Sequence, residues 1–321
     1  MIAESNSHFA PFLKEMMEIK RNSGFSLDYM NSHIASFDTF CIEKYPDKCQ
    51  LDKELIEEWV YDTKSKSRRE LNRRVRTMRH LANHLIAIGI PAYFCPIRIK
   101  IPKSPEPHIF TDEQLTEFFL VCDNFKPVAF PQYRHILLPV IFRLIYCCGL
   151  RNSEACNLKH CDVNFKNGEI KIIGSKGAKD RVVYLAADLM RLCKKYDDTM
   201  KSLLPKREYF FPSQNHKHFV NTSICRLFNE ILIKTSFYGK TTKKPTCHGL
   251  RHTMAVNSMR ECIENGDNFE THIQYLSKYM GHKDPQETMY YLHMSVNIIP
   301  ALREKAVGFE NIIGGMVYAE E

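Results

Sequence analysis

The segment VNFKNGEIKIIGSKGAKDRVVYL, residues 163–185, decides the fold class, because it interrupts a chain whose other apolar residues mostly recur at helical spacing. Its runs VNF, EIKII and RVVYL are short and rich in β-branched residues, and Asn167 and Gly168 form a turn between the first two. We predict a small antiparallel sheet. Helices are predicted after it at 186–203, 218–235, 248–263, 271–280, 286–294 and 298–306.

The residues before this segment predict helices and one break. The first hundred residues predict a four-helix unit whose last helix stops at Gly89. The stretch 91–108 holds five prolines among basic residues, so we interpret it as a linker. A new helix is expected at Thr111, where Gln114 completes a capping box. The predicted fold is mainly α, in two domains, the second mixed but mostly helical.

The composition is that of an ordinary globular protein, with 44% hydrophobic and 26% charged residues. The longest apolar run, residues 136–150, contains Arg143 and is shorter than the ~20 residues of a membrane span. The first residues show no basic segment followed by an apolar core, so no secretory signal is predicted. We therefore expect a cytoplasmic protein without membrane contact.

Positive charge is concentrated in the stretch 64–80, KSKSRRELNRRVRTMRH, where eight basic side chains face the single acid Glu70. A solvated helix face would account for such a run, but unpaired like charges repel one another without a counter-anion. A phosphate backbone is the better explanation. The candidate DNA-binding residues are Lys64, Lys66, Arg68, Arg69, Arg73, Arg74, Arg76 and Arg79.

Metal sites are not predicted. The 12 cysteines form no C-x-x-C pair, and their spacing does not match a zinc site. His248 and His252 have the spacing of a zinc-protease helix, but Gly249 stands where that chemistry needs a glutamate. No carboxylate cluster would hold catalytic magnesium. We expect an activity that needs no metal and no cofactor.

A scattered set of polar residues suggests phosphoryl transfer. Taken singly, each has an ordinary explanation, such as helix capping, solvation or packing. Together, two arginines can bind one phosphate, a lysine can protonate a leaving oxygen, histidines can move protons and a tyrosine can attack phosphorus. The set comprises Arg151, Lys176, His248, Arg251, His282 and one of the adjacent tyrosines Tyr290 and Tyr291.

In order and spacing, the stretches GLRNSE, GSKGAKDR, HGLRH and GHKDPQETMYY resemble the tyrosine recombinase, or phage integrase, family. FDTFCIEKYPD and IFTDEQL are similar to proteins of multi-integrase transposable elements. The resemblance implies a SAM-like helical core-binding domain that clamps DNA and a tyrosine recombinase catalytic domain. The expected boundaries are 1–92 for the first domain, 93–108 for the linker, 109–300 for the catalytic domain and 301–321 for a tail that docks on another protomer.

The resemblance also implies a role for each residue. Arg151 and Arg251 resemble the phosphate clamp, Glu154 its supporting acid and His282 a hydrogen-bond donor to the phosphate. Lys176 matches the general acid, with Lys179 as an alternative, and His248 matches the histidine for proton transfer. The family pattern puts the nucleophile nine residues after His282, which selects Tyr291 and leaves Tyr290 as a packing residue.

The implied function is site-specific recombination through a 3′-phosphotyrosine, in integration, transposition or resolution of a mobile element. The implied partners are double-stranded DNA and a homotetramer on two DNA sites, alone or with related recombinases, so that the protein lies on the nucleoid when bound. A type IB topoisomerase would use the same chemistry on one duplex without strand exchange. A pure DNA-binding regulator would leave the ordered set of polar residues unexplained.

Overall fold

A computed structural model describes most of the chain, which divides by its internal contacts into two compact units, Met1–Pro105 and Glu106–Glu321. The division falls within the stretch predicted as a linker. The described residues are 7–23, 28–62, 67–100, 106–127, 133–174, 180–213, 217–282, 284 and 286–291.

The described part of the first unit contains four helices, as the sequence predicts. Their apolar faces enclose a core in which Trp59 is completely buried and its ring meets Phe37 edge-on. Asp52 accepts a hydrogen bond from the amide of Leu55 and so caps the third helix. The helices are α1 (Ala10–Asn22), α2 (Asp28–Lys44), α3 (Lys53–Tyr61) and α4 (Arg68–Ala87).

One arginine of the basic helix α4 belongs to this core. The guanidinium of Arg74 lies 4.6 Å from the ring centroid of Trp59 and donates to the carbonyls of Trp59 and Asp62, at 2.6 and 2.8 Å. Glu70 accepts from His33 at 2.8 Å, so this acid also takes part in packing. This burial does not fit the predicted DNA-binding role of Arg74. The prediction counted the charges along the run, and such a count does not show on which face of the helix each residue lies.

The remaining basic residues of this run differ in exposure. Arg79 is half-buried and donates to the carbonyls of Cys95 and Ile97 at 2.8 Å each, which fixes the segment after α4 onto the unit. Lys64 and Lys66 lie outside the described residues. Solvent-exposed side chains are presented by Arg68, Arg69, Arg73 and Arg76.

The second unit combines one sheet with seven α-helices that lie wholly within the described residues. It also contains a 3-10 helix, His160–Asp162, and a further helix of which residues 286–291 are described. The sheet has three strands that lie side by side in chain order, each antiparallel to its neighbour, which confirms the sheet predicted from the sequence. Ile170 pairs with Val183, and both side chains point into the core. The strands are β1 (Val163–Asn164), β2 (Glu169–Ile172) and β3 (Arg181–Tyr184). The helices are α5 (Asp112–Asp123), α6 (Arg134–Cys147), α7 (Asn152–Asn157), α8 (Ala187–Leu203), α9 (Asn221–Leu232), α10 (Cys247–Asn265) and α11 (Phe269–Met280).

Helix α10 carries His248 and Arg251 of the candidate site, and His282 follows the end of α11. Thr246 caps α10 by accepting from the amide of Gly249, and Thr253 of the same helix accepts from the amide of Phe110 at 3.0 Å. Helix α11 is capped at its C-terminal end by Gly281, whose φ of 67° is the left-handed conformation that favours glycine. Among the described helices, none has the length and apolarity that crossing a membrane requires.

Candidate active site

The C-terminal end of α11 anchors three arginines. The last carbonyls of a helix have no partner within the helix and carry partial negative charge, so they attract guanidinium groups. Here three consecutive carbonyls each accept a hydrogen bond from an arginine of a different element, at 2.7 Å in every case. The donor and acceptor pairs are Arg181 with Tyr279, Arg251 with Met280, and Arg151 with Gly281.

Glu154 joins two of these arginines. Its carboxylate accepts hydrogen bonds from both terminal nitrogens of Arg181, at 2.8 and 2.7 Å. It accepts a third hydrogen bond from the guanidinium of Arg151, at 2.8 Å. Burial by itself would raise the pKa of Glu154, but the hydrogen bonds from Arg181 and Arg151 lower it below its ordinary value. The acid therefore remains ionised and holds the side chain of Arg151 in place.

Gly281 is packed against the same arrangement. A Cβ atom at this position would lie 2.9 Å from a terminal nitrogen of Arg181, in addition to the strain of a positive φ. The turn after α11 thus requires glycine for two separate reasons, its conformation and the close approach of Arg181.

Arg251 is almost completely buried, with 1% of its surface exposed. It donates to the carbonyls of Gly149 and Met280 and to Nε2 of His282, the last at 3.0 Å. Burial, and then the neighbouring Arg151, lower the pKa of Arg251 to about 10. This value still leaves the guanidinium charged at neutral pH, as a phosphate ligand must be.

The hydrogen bonds of His282 define its tautomer. Because a guanidinium can only donate, Nε2 of His282 accepts from Arg251, and Nδ1 carries the hydrogen that it donates to Thr288 Oγ1 at 2.8 Å. Burial and the nearby Arg251 lower the pKa of His282 to about 4, which agrees with a neutral ring. The predicted donor role toward phosphate therefore requires a hydrogen on Nε2, either in the other neutral tautomer, with the Thr288 hydroxyl donating to Nδ1, or with both nitrogens protonated.

The two adjacent tyrosines differ in their surroundings. Tyr291 is 4% exposed, its ring is stacked on that of His282, and its hydroxyl lies 3.1 Å from Nδ1 of His252. Tyr290 is 43% exposed. Burial raises the pKa of Tyr291, and the positive charges of Arg251 and Arg151 oppose this rise. Tyr291 is thus the tyrosine that lies among the arginines and histidines.

His248 lies one helical turn before His252 on α10, and their rings meet edge-on with centroids 4.5 Å apart. Burial among the surrounding residues is the main cause that lowers the pKa of His248 to about 4, and the positive charges of Arg251 and Arg151 contribute less. Solvent reaches this ring and screens part of that effect. A neutral His248 at an accessible edge of the site is available to accept a proton or to contact a ligand.

The structure thus brings together Arg151, Glu154, His248, Arg251, His282 and Tyr291. Lys176 and Lys179 lie outside the described residues, so their placement stays a prediction. Among the described residues, no group of three or more His, Cys, Asp or Glu side chains is arranged to hold a metal ion.

The sequence assigned no role to Arg181, and it raised His252 only as a metal ligand that was then rejected. Arg181 is the last residue of the stretch GSKGAKDR, and His252 is the last residue of HGLRH. The available signal was helical spacing for His252, four residues after His248. For Arg181 the available signal was the alternation of residues along β3. This local pattern does not reveal the partner of Arg181, because Glu154 is distant in the sequence.

Comparison with known families decides what kind of enzyme contains this site. Residues 109–297 match the family model described as the phage integrase family. The chain belongs to this family. It is a tyrosine recombinase, an enzyme that cuts and rejoins DNA strands.

Relatives and solved structures agree with the family assignment. Tyrosine recombinase XerA of Pyrococcus horikoshii is 28% identical over 221 residues, which are 68% of this chain and 68% of that protein. XerA of Thermococcus kodakarensis is 30% identical over 220 residues, 68% of this chain and 70% of that protein. These relatives are named as recombinases, and this tyrosine recombinase is a site-specific recombinase as well.

Two solved structures share the fold. The XerH recombinase bound to its difH substrate before cleavage has a TM-score of 0.61 at 20% identity, over 82% of this chain and 75% of that chain. The Tn1549 transposon integrase in complex with transposon right end DNA has a TM-score of 0.62 at 16% identity, over 92% and 99%. The likeness shows that this tyrosine recombinase has the mainly helical two-domain fold predicted from its sequence.

Proposed function

We propose that this recombinase cuts each DNA strand with Tyr291 and holds the scissile phosphate with Arg151 and Arg251. The observation that carries the proposal is that both guanidiniums are anchored on neighbouring carbonyls at the end of α11. Their positive charges also act on the buried Tyr291, where they oppose the rise in its pKa. Fixed donors of this kind stabilise charge that develops on phosphate oxygens without reorganising during the reaction.

The steps follow from the residue chemistry. Attack by the Tyr291 oxygen forms a bond to phosphorus and breaks the bond to the 5′ oxygen, which leaves a 3′-phosphotyrosine and a free 5′ hydroxyl. The covalent bond keeps the energy of the phosphodiester, so rejoining to another strand needs no cofactor. His248 is assigned to the same phosphate because the charges of Arg251 and Arg151 act on its ring and lower its pKa, and Glu154 keeps Arg151 in position.

Lys176 is proposed to protonate the 5′ oxygen as it leaves. Lys176→Ala is expected to slow cleavage about 100-fold or more, in line with the usual contribution of a general acid. A substrate with sulfur in place of that oxygen should restore the rate, because a thiolate leaves without being protonated. Single-turnover cleavage of both substrates measures this. If Lys179→Ala, and not Lys176→Ala, shows the sulfur rescue, the general acid is Lys179.

We propose double-stranded DNA as the partner and a homotetramer on two sites as the active assembly. The support is the row of exposed arginines on α4, together with the solved structures of the Tn1549 transposon integrase in complex with transposon right end DNA and of a lambda integrase tetramer bound to a Holliday junction. Related recombinases could replace some of the protomers. The tail 301–321, which we propose docks on a neighbouring protomer, lies outside the described residues.

The exposed and buried arginines of α4 predict different effects. Arg73→Ala and Arg76→Ala are each expected to lower DNA affinity at all sequences and to reduce the slope of log K against log salt by about one. Arg74→Ala is expected instead to lower the free energy of unfolding by about 1–3 kcal/mol, because the buried guanidinium no longer bonds the carbonyls of Trp59 and Asp62 or contacts the Trp59 ring. Salt titrations of binding and chemical unfolding distinguish the two. A salt slope changed mainly by Arg74→Ala would contradict this division.

Recombination can be separated from topoisomerase activity by two assays on the same preparation. Target duplexes are first selected from randomised DNA by binding, and two copies are then placed in one supercoiled plasmid. We expect exchange between the copies, with products that a plasmid carrying one copy cannot form. Relaxation of both plasmids without exchange would instead identify the type IB topoisomerase reaction, and no reaction at all would contradict the proposed function.

We propose that the biological process is movement of a mobile element, by integration, transposition or resolution. The similarity to the transposon integrase fold supports this general statement. The genes beside the one that encodes this chain test it. Neighbouring recombinase genes inside terminal repeats are expected for transposition, whereas an isolated gene near the replication terminus would point to resolution of chromosome dimers.

A further inference from the structure

The hydroxyl of Tyr291 has a histidine partner that the sequence did not assign. Nδ1 of His252 lies 3.1 Å from this oxygen, and the two ring centroids are 5.4 Å apart. His252 directly follows the clamp residue Arg251 on α10, so both side chains are fixed by the same rigid helix. This distance is that of a direct hydrogen bond to the reacting atom, which is the first requirement for a general base.

A base is needed because Tyr291 is buried and its pKa is raised. A phenol that stays protonated at neutral pH is a poor nucleophile, so its proton has to leave as the oxygen attacks. The family resemblance assigned proton transfer to His248, one turn away on the same helix. The structure shows His252 in hydrogen-bonding distance of the Tyr291 oxygen.

We propose that Nδ1 of His252 accepts the Tyr291 proton as the phenol oxygen attacks phosphorus, an inference that rests on the proposed function of Tyr291. The O–H bond of Tyr291 breaks, an N–H bond forms on His252, and the electron pair left on oxygen forms the bond to phosphorus. The bond from phosphorus to the 5′ oxygen breaks, and that oxygen takes its proton from the proposed general acid. During rejoining, the same proton returns to the departing phenol.

The tautomer and charge of His252 fit this role. A neutral ring with its hydrogen on Nε2 presents a lone pair from Nδ1 to the phenol. Burial, with smaller contributions from His248 and Arg251, lowers the pKa of His252 to about 3. The ring is therefore neutral before the reaction, but it is a weak base until negative charge is brought beside it. A phosphodiester held by Arg151 and Arg251 adds negative charge beside His252, which favours its protonated form during attack.

Three replacements of His252 test the proposal on a nicked duplex that traps the covalent complex. His252→Ala removes the acceptor, and His252→Asn keeps an oxygen acceptor near the Nδ1 position but no base. We expect both variants to bind DNA as the original protein does and to cleave about 100-fold or more slowly in a single turnover. His252→Gln places its amide farther out and is expected to behave like the alanine variant.

A more acidic nucleophile separates proton removal from positioning. When a fluorinated tyrosine replaces Tyr291, less help is needed to remove its proton, so the defect of His252→Asn should become at least tenfold smaller. A merely structural role for His252 would leave the defect unchanged with this nucleophile. Cleavage by His252→Ala or His252→Asn within about threefold of the original rate would overturn the proposal, as would an unchanged defect with the fluorinated tyrosine.

The outcomes also separate this inference from the proposed function. Failure of the unaltered protein to form a covalent complex, or formation of that complex by Tyr291→Phe, contradicts the role of Tyr291 itself. A complex that depends on Tyr291 but forms at full rate without His252 contradicts only the base. Thermal unfolding of each His252 variant shows whether its fold is intact. The fluorinated tyrosine remains informative for a variant with reduced stability, because both rates are then compared within that variant.

Discussion

Tyr291→Phe is expected to abolish covalent trapping of DNA, and this is the largest effect predicted for any substitution in the chain. The change removes one oxygen, the atom proposed to attack phosphorus, and leaves the buried ring to pack as before. A nicked duplex releases a short fragment after cleavage, so that rejoining fails and the covalent complex accumulates. Denaturing electrophoresis of a labelled duplex then measures the protein–DNA bond, which should be absent.

Tyr290→Phe is the matched control because it makes the same change one residue earlier. The Tyr290 side chain is 43% exposed, so loss of its hydroxyl is expected to leave trapping and stability close to those of the original protein. If Tyr291→Phe still traps DNA covalently and Tyr290→Phe does not, the nucleophile is Tyr290. Such a result would leave membership of the family untouched.

The elements of the fold could be predicted because their signals are local. Alternation and β-branched residues marked the sheet, and the pair Thr111 and Gln114 marked the start of α5, where the structure shows the complete capping box. The face on which each arginine of α4 lies depends on packing instead. Arg74 contacts Trp59, a partner on another helix that no local pattern in the basic run reveals.

The candidate residues could be nominated from their motifs, but the arrangement that holds them could not. Backbone carbonyls are present at every residue, so nothing in the sequence indicates that those of Tyr279, Met280 and Gly281 bind arginines. The bidentate contact between Arg181 and Glu154 likewise depends on how β3 packs against α7. These contacts arise from the tertiary fold, which brings distant segments to one helix end.

Arg251→Lys is expected to reduce the rate of cleavage about 100- to 1,000-fold, the usual cost of losing a fixed donor to a developing negative charge. Lysine keeps the charge, but its single nitrogen cannot reach Gly149, Met280 and His282 together as the planar guanidinium does. Acceptors left without a donor in this buried place should also lower the free energy of unfolding by ~1–3 kcal/mol each. Single-turnover cleavage and chemical unfolding measure the two effects.

Arg260→Lys is the control for this prediction, since it makes the same change on the same helix at a partly exposed position. The guanidinium of Arg260 lies 3.9 Å from Asp112, a surface ion pair that contributes little, so both the rate and the stability should stay nearly unchanged. Measuring cleavage well below the unfolding temperature of Arg251→Lys separates lost chemistry from lost fold. Cleavage by Arg251→Lys at the rate of the Arg260→Lys control would show that charge alone is sufficient, and that the anchoring of Arg251 on the α11 carbonyls does not matter for catalysis.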